Sequence, residues 1–151
     1  MAENFALQFG YLGLFIISFL AATLLPFSSE AVVVLMPSLG YKASLVLIFA
    51  TTGNFLGALT NYYAGKWGGD FLLARYIQVG PEKLRKVHTL YGRWGAPILF
   101  FSWVPLIGDP LTVIGGTLKV KLPVFIFWVL LGKTVRYLAV LGVGNLIFGS
   151  I

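Results

Sequence analysis

Four charged side chains lie within the apolar parts of this sequence, and their types are suited to binding and proton chemistry. Glu30 and Asp109 each follow a proline by four residues, in the stretches LLPFSSE and WVPLIGD. Lys133 and Arg136 are three residues apart, so a helix would place them on one face with Tyr137 beside them. Two cations opposite two carboxylates predict a site for a phosphate-bearing head group with a proton-titrating partner.

The free-energy cost of placing a charge in hydrocarbon indicates how these four residues must be accommodated. Each charged group costs roughly 2.5 to 3.5 kcal/mol at the centre of a membrane helix, so four of them cost on the order of 10 kcal/mol if unpaired. They are therefore expected to be paired, protonated or hydrated. A structural alternative stays open, in which Glu30 and Asp109 cap their helices and neutralise Arg136 and Lys133.

The composition around these charges predicts an integral membrane protein. Hydrophobic residues make up 58% of the 151 residues and charged residues 11%, and the mean hydropathy is +0.89, far from the averages of soluble domains. Two uncharged runs, of 26 residues from Asn4 to Ser29 and 23 residues from Ala43 to Gly65, exceed the roughly 20 that a membrane helix needs. Shorter apolar runs predict broken or re-entrant helices as well as plain spans, namely Trp94 to Gly108, Pro110 to Leu118, Leu122 to Gly132 and Tyr137 to Ile151.

Residue types that are scarce or missing exclude several kinds of site. The sequence has no cysteine, which excludes disulfides and thiolate metal ligands, and its single histidine, His88, cannot form a histidine metal cluster. We therefore predict no metal and no cofactor. No Ser/His, HExxH or two-aspartate arrangement supports hydrolysis, so we expect no enzymatic activity. The net charge of +6 lies beside membrane segments, which favours anionic lipid over nucleic acid as the partner.

Most of the positive charge lies in one polar stretch between two apolar halves. Six of the eleven basic residues are there, which places residues 66–95 in the cytoplasm by the positive-inside rule. Pro81 and Glu82 begin a segment with a helical apolar spacing, which predicts an amphipathic helix on the membrane surface. The residues of its apolar face are Leu84, Val87, His88 and Tyr91.

The two halves align with a constant offset of 79 residues. Pro26 then falls on Pro105, and Glu30 on Asp109; the further matches are Lys42 on Lys121, Gly53 on Gly132 and Gly65 on Gly144. Internal duplication is typical of transporters in which broken helices from two repeats meet near the midplane. We therefore predict an all-α membrane protein with an inverted pseudo-repeat and two opposed re-entrant helical hairpins, with transmembrane helices and an interfacial amphipathic helix. Repeat 1 covers about 5–66, the linker about 67–94 and repeat 2 about 95–151.

The proline motifs would form the tips of these hairpins. Proline interrupts the first arm, and the second arm then begins at a new amino terminus. Asp109 followed by Pro110 has the form of an N-cap with proline at the first helical position, and Ser28 or Ser29 can cap the other hairpin. Such helix termini favour an anion in a wet cavity. The predicted tip residues are Pro26, Ser28, Ser29, Pro105, Gly108 and Pro110.

The run from Ala43 to Gly65 carries small and polar residues at helical spacings. Gly53 and Gly57 are four residues apart, which favours close helix packing over contact with a ligand. Asn54 and Asn61 are two turns apart on one face, so they are candidates either for lining the cavity or for hydrogen bonding between helices.

Three segments resemble the DedA, or VTT-domain (SNARE-associated Golgi protein), superfamily, most closely its small YqaA-like bacterial branch. They are LPFSSE, GNFLGALTNYYAGKWG at 53–68 and FFSWVPLIGDPLTVIGGTLKVKLPVFIFWVLLGKTVRY at 100–137. In this resemblance Glu30 matches the family's acid after the proline-rich tip, and two arginines of typical members fall on Ser102 and Gly108. Further matches are Tyr62, Gly65 and Lys66 to the family's Tyr-x-x-Gly-Arg run, and Gly115 and Gly116 to the glycine of the second hairpin.

The resemblance implies a multi-pass protein of the bacterial inner membrane that moves a lipid, either a phospholipid or a polyprenyl phosphate, with proton coupling in some members. In our interpretation Arg136 and Lys133 bind the anionic head group, and Glu30 or Asp109 changes protonation. A non-transporting membrane-homeostasis subunit or assembly factor with structural charge pairs is the first alternative. A small-solute transporter is the second.

Overall fold

The chain folds into helices throughout the part that the structure, a computed structural model, describes. This part comprises residues 2–23, 29–76, 81–105 and 107–149, and the predicted tip residues Pro26 and Ser28 lie outside it. These ranges contain six α-helices and one 3₁₀ helix: α1 (Ala2–Ala21), α2 (Ser29–Ser38), α3 (Ala43–Tyr76), α4 (Pro81–Trp94), the 3₁₀ helix (Ala96–Trp103), α5 (Gly108–Thr117) and α6 (Leu122–Phe148). The predicted all-α class is confirmed.

In the described part of the chain, two helices are long and apolar enough to cross a membrane, judged by length and composition. They are Ala43–Gly69 within α3 and Leu122–Phe148, which is the whole of α6. Each has 27 residues, or about 40 Å at the rise of an α-helix, against about 30 Å of hydrocarbon. α3 kinks at Gly69, whose φ of 56° is left-handed and suits glycine. α6 continues as one helix through Lys133 and Arg136, whereas the sequence showed two separate apolar runs here.

The offset of 79 residues holds for the helices as well as for single residues. α2 and α5 are both ten residues long and begin at Ser29 and Gly108, 79 residues apart. α3 and α6 begin at Ala43 and Leu122, which are again 79 residues apart. Each short helix is about 15 Å long, half of the hydrocarbon thickness. A short helix followed by a long one therefore occurs twice in the described residues, with this offset.

The chain divides into two compact units that cut across the repeats. The first unit contains Met1–Gly57 and Thr134–Ile151, and the second contains Ala58–Lys133. Both boundaries fall inside the long helices, so each unit takes one half of α3 and one half of α6. In the first unit α1 contacts α2, and its apolar core includes Leu14, Val33, Met36, Val46, Ala50 and Tyr137.

The second unit is built around α5, which packs against the 3₁₀ helix and against α4. The Tyr91 hydroxyl of α4 donates to the Leu111 carbonyl of α5 at 2.7 Å, and the Tyr62 hydroxyl donates to the Val120 carbonyl at 2.6 Å. Of the predicted apolar face of α4, Val87 and Tyr91 are buried against the rest of the second unit, whereas His88 is exposed. The side chain of Leu84 is outside the described part.

Glycines allow helices in both units to approach backbone to backbone. A Cβ atom added to Gly53 would lie 2.4 Å from the Phe15 carbonyl oxygen, and one added to Gly57 would lie 2.5 Å from that of Phe19. At the position equivalent to Gly53, a Cβ on Gly132 would lie 2.1 Å from the carbonyl oxygen of Phe100. These distances are too short for any side chain, which confirms close helix packing as the role of Gly53 and Gly57.

Candidate functional site

An ion pair joins the start of α2 to the middle of α6. The Arg136 guanidinium donates through Nη2 to Oε1 of Glu30. The Glu30 side chain is 38% exposed and that of Arg136 is 19% exposed. Both residues were predicted as site residues, and their direct contact satisfies the requirement that charges in an apolar segment be compensated. The remaining exposure leaves the carboxylate accessible from outside the protein.

A buried hydrogen bond lies next to this ion pair in the sequence. The hydroxyls of Ser29 and Tyr137 are 2.8 Å apart, and the two residues are 2% and 0% exposed. The Arg136 guanidinium carbon also lies 5.8 Å from the centre of the Tyr137 ring, within the range of a cation–π contact. We call the residues Ser29, Glu30, Arg136 and Tyr137 the ion-pair site. Since Ser29 and Tyr137 hold α2 against α6, they fix the positions of the neighbouring charges.

The two asparagines make hydrogen bonds between helices, in different units. Asn54 of α3 donates through Nδ2 to the Ser18 carbonyl of α1 at 3.1 Å, in the first unit. Asn61 donates through Nδ2 to the Thr112 hydroxyl of α5 at 3.3 Å, in the second unit. Both asparagines are buried. Of the two roles left open by the sequence, these contacts correspond to hydrogen bonding between helices.

The start of α5 differs from the prediction. The helix is capped by Ile107 and begins at Gly108, so Asp109 lies in its first turn and is not the N-cap. The reason is that helical hydrogen bonding begins upstream, where the Gly108 N–H donates to the Val104 carbonyl at 2.8 Å. Pro110 consequently lies third in the helix, where its missing N–H is still tolerated.

Asp109 and Lys133 belong to the second unit, whereas the four residues of the ion-pair site belong to the first. Lys133 is 2% exposed, whereas Asp109 is partly exposed. Gly108 packs so closely that an added Cβ would lie 1.9 Å from the Ser102 carbonyl oxygen, so this position has no room for the arginine of typical family members. Pro105, also a predicted tip residue, is exposed.

Within the described ranges, no group of three or more His, Cys, Asp or Glu side chains is placed to hold a metal ion. The ion-pair site instead provides one guanidinium, one carboxylate and two hydroxyls. These groups can bind an oxyanion and exchange a proton.

Comparisons with known proteins agree on one family. The sequence profile of the VTT domain matches residues 25–146. The chain is 39% identical over 128 residues to the inner membrane protein YqaA of Escherichia coli, which covers 84% of this chain and 85% of that protein. It is 36% identical over 138 residues to an uncharacterized protein of Haemophilus influenzae, covering 85% of this chain and 83% of the relative.

A more distant relative has a name of a different kind. An alkaline phosphatase-like protein of Lactococcus lactis is 27% identical over 150 residues, covering 91% of this chain and 70% of that protein. No solved structure matches this chain. All four residues of the ion-pair site lie within the segment that the VTT domain profile matches.

Proposed function

Since the chain belongs to the VTT-domain (DedA) family of membrane proteins, we propose that it is a transporter that moves a lipid with an anionic head group across the bacterial inner membrane. The lipid is a phospholipid or a polyprenyl phosphate. One observation carries the proposal: the Glu30–Arg136 ion pair lies in apolar helices and stays partly accessible. An ion pair that serves packing alone has no need of this access.

The position of Arg136 along α6 supports a role at membrane depth. Arg136 is near the midpoint of the 27-residue helix Leu122–Phe148. If α6 crosses the bilayer, the guanidinium lies close to the midplane, where a charge is costly. Charged residues at this depth usually mark a substrate or ion pathway.

The chemistry of the pair suggests how a head group would be handled. A guanidinium binds carboxylate and phosphate with the same forked geometry, so a phosphate can replace Glu30 as the partner of Arg136. Protonation of Glu30 would weaken its hold on Arg136 and favour that replacement, which would couple lipid movement to a proton. The Ser29–Tyr137 hydrogen bond would keep α2 and α6 in register while the charges change partners. The acyl chains would remain in the lipid phase.

The lengths of the short helices suggest how the chain is arranged in the membrane. α2 and α5 are each about half as long as the hydrocarbon is thick. We propose that α1 with α2, and the 3₁₀ helix with α5, form re-entrant pairs in an inverted repeat, and that residues 66–95 lie in the cytoplasm. Irregular backbone at membrane depth is stable where protein or a wet cavity surrounds it.

The same ion pair also supports a second candidate, a non-transporting membrane subunit. The contact between Glu30 and Arg136 is direct, as expected of a structural pair. In that case the double variant Glu30→Gln/Arg136→Gln should recover whatever each single variant loses. A transporter should stay inactive in the double variant even when it folds, because the guanidinium is gone.

Reconstitution tests the proposed function. Purified protein is placed in liposomes with fluorescent phospholipid or polyprenyl phosphate in both leaflets, and an impermeant quencher reports which leaflet the lipid occupies. We expect wild type to move at least one of these lipids faster than empty liposomes, and Glu30→Gln to be slower than wild type. Glu82→Gln removes an exposed carboxylate from α4 and serves as the matched control. Equal rates with and without protein for both lipids would refute lipid transport.

The name of the Lactococcus relative raises phosphate ester hydrolysis, which we propose this chain does not perform. Tyr137 and Ser29 share a buried hydrogen bond, and the nearby base is a carboxylate held by Arg136. We expect purified protein to release no phosphate from p-nitrophenyl phosphate beyond a mock purification. Release that depends on Ser29 would contradict this proposal.

A further inference from the structure

Helix α4 uses its apolar face inside the protein. Val87 and Tyr91 are 4% and 7% exposed, and α4 packs against α5 and the 3₁₀ helix of the same unit. An ordinary interfacial helix inserts its apolar face into lipid. In α4 the protein itself already covers this apolar face at Val87 and Tyr91. The opposite, polar face is therefore the one that is turned outward.

The outward face of α4 is positively charged. Arg85, Lys86 and Arg93 are exposed, and Glu82 is the one acidic residue of the helix. At its end Trp94 is 60% exposed, and the guanidinium of Arg93 lies 5.9 Å from the centre of the Trp94 ring. Tryptophan beside arginine is typical of the boundary between water and lipid head groups.

We propose that the outward face of α4 binds anionic phospholipid head groups and that the Tyr91 hydroxyl transmits this binding to α5. The charge of the face is complementary to that of anionic lipid, and each basic residue near such a surface contributes about 1 kcal/mol, or about fivefold in affinity. The coupling to α5 rests on the proposed function, because it matters only if α5 moves during lipid handling.

The hydrogen bond that transmits the binding is short, and its donor hydroxyl keeps its proton. The Tyr91 hydroxyl donates to the Leu111 carbonyl at 2.7 Å, and a Cβ added to Gly115 would lie 2.9 Å from the Tyr91 oxygen. Burial raises the pKa of the Tyr91 phenol far above its usual value of 10.0, so the hydroxyl keeps its proton and its donor role. Tyr91 therefore links the position of α4 to that of α5, whose first turn contains Asp109.

The absence of cysteine from the sequence allows a local test of docking. Thr89, exposed on α4, is changed to cysteine and labelled with a fluorophore, and the protein is placed in nanodiscs of equal phosphatidylglycerol and phosphatidylcholine. Bromine, which quenches fluorescence, is carried by the phosphatidylglycerol in one set of nanodiscs and by the phosphatidylcholine in a second set. We expect the Thr89 label to be quenched more strongly in the first set than in the second. A label at Thr52, exposed in the middle of the α3 span, should be quenched equally by both.

Charge variants assign the effect to α4. Arg85→Gln/Lys86→Gln should abolish the preference of the Thr89 label, since two cations are removed. Lys119→Gln/Lys121→Gln removes two exposed charges between α5 and α6 and should leave the preference in place. Equal quenching by both brominated lipids in the otherwise unaltered protein would overturn the docking surface. If a soluble polyanion changed the fluorescence of the Thr89 label in nanodiscs without brominated lipid, the assignment of the ligand as lipid would be overturned.

Hydrogen exchange tests the coupling. Amide exchange in Gly108–Thr117 should be slower in nanodiscs with phosphatidylglycerol than in phosphatidylcholine alone, and Tyr91→Phe should remove this difference while the Thr89 label still docks. Exchange in α5 that ignores lipid charge in wild type would overturn the coupling. Neither readout requires lipid movement, so failed transport with intact docking would count against the proposed function alone.

Discussion

Arg136→Ala is expected to slow lipid movement by roughly ten- to hundredfold, because a hydrogen bond to a charged partner contributes about 1.5 to 3 kcal/mol. The variant removes the one guanidinium of the ion-pair site and leaves Glu30 without this partner. The cost to stability should be smaller, about 1 kcal/mol, since the Glu30 side chain is 38% exposed and can be hydrated. Lipid movement in liposomes and thermal unfolding in detergent measure the two effects separately.

Two variants control for charge and geometry. Arg136→Lys keeps the charge but loses the forked geometry that matches a phosphate, so its rate should fall between those of wild type and Arg136→Ala. Lys42→Ala removes an exposed cation from the turn before α3 and should move lipid as wild type does. An Arg136→Ala protein that is folded and moves lipid at the wild-type rate would exclude the guanidinium from the transport site.

Gly116→Val is expected to destabilise the second unit by about 3 kcal/mol or more. A Cβ at Gly116 would lie 1.9 Å from the Tyr62 carbonyl oxygen and 2.9 Å from the Lys66 nitrogen. The contact is reciprocal, because a Cβ at Gly65 would lie 2.0 Å from the Val113 carbonyl oxygen. Backbone atoms cannot turn away as a side chain can, so α3 and α5 would have to separate.

Thermal unfolding and elution from a sizing column would show this destabilisation as a lower midpoint and as aggregation. Gly13→Val is the matched control, since no heavy atom lies within 4 Å of a Cβ at that helical position. Gly13→Val should behave much like wild type. A Gly116→Val protein with an unchanged unfolding midpoint would show that the two helices pack less closely than the structure describes.

The helices were largely predictable from the sequence, because local chemistry determines where they begin and end. Proline and glycine mark the ends of short helices, and long uncharged runs mark α3 and most of α1. The division of the chain into two units could not be predicted from these local patterns. It depends on which halves of α3 and α6 pack together, and periodicity along one helix contains no information about its partner.

The candidate site was predictable only in part. The cost of charge in an apolar helix identified Glu30 and Arg136, which are paired in the structure. The Ser29–Tyr137 hydrogen bond joins residues 108 positions apart, and hydroxyls are too common for such a partner to be found by spacing. The Asp109 cap was wrong because backbone hydrogen bonds from the preceding turn, which the sequence does not reveal, decide where α5 begins.

The division of the long helices between units has a consequence for biosynthesis. Tyr137, fully buried in the core of the first unit, is synthesised after all of the second unit. A ribosome that has released residues 1–57 has therefore produced a first unit that lacks part of its core. Completion of this unit must wait for α6, and a chain cut between the two repeats should leave both halves dependent on each other for folding.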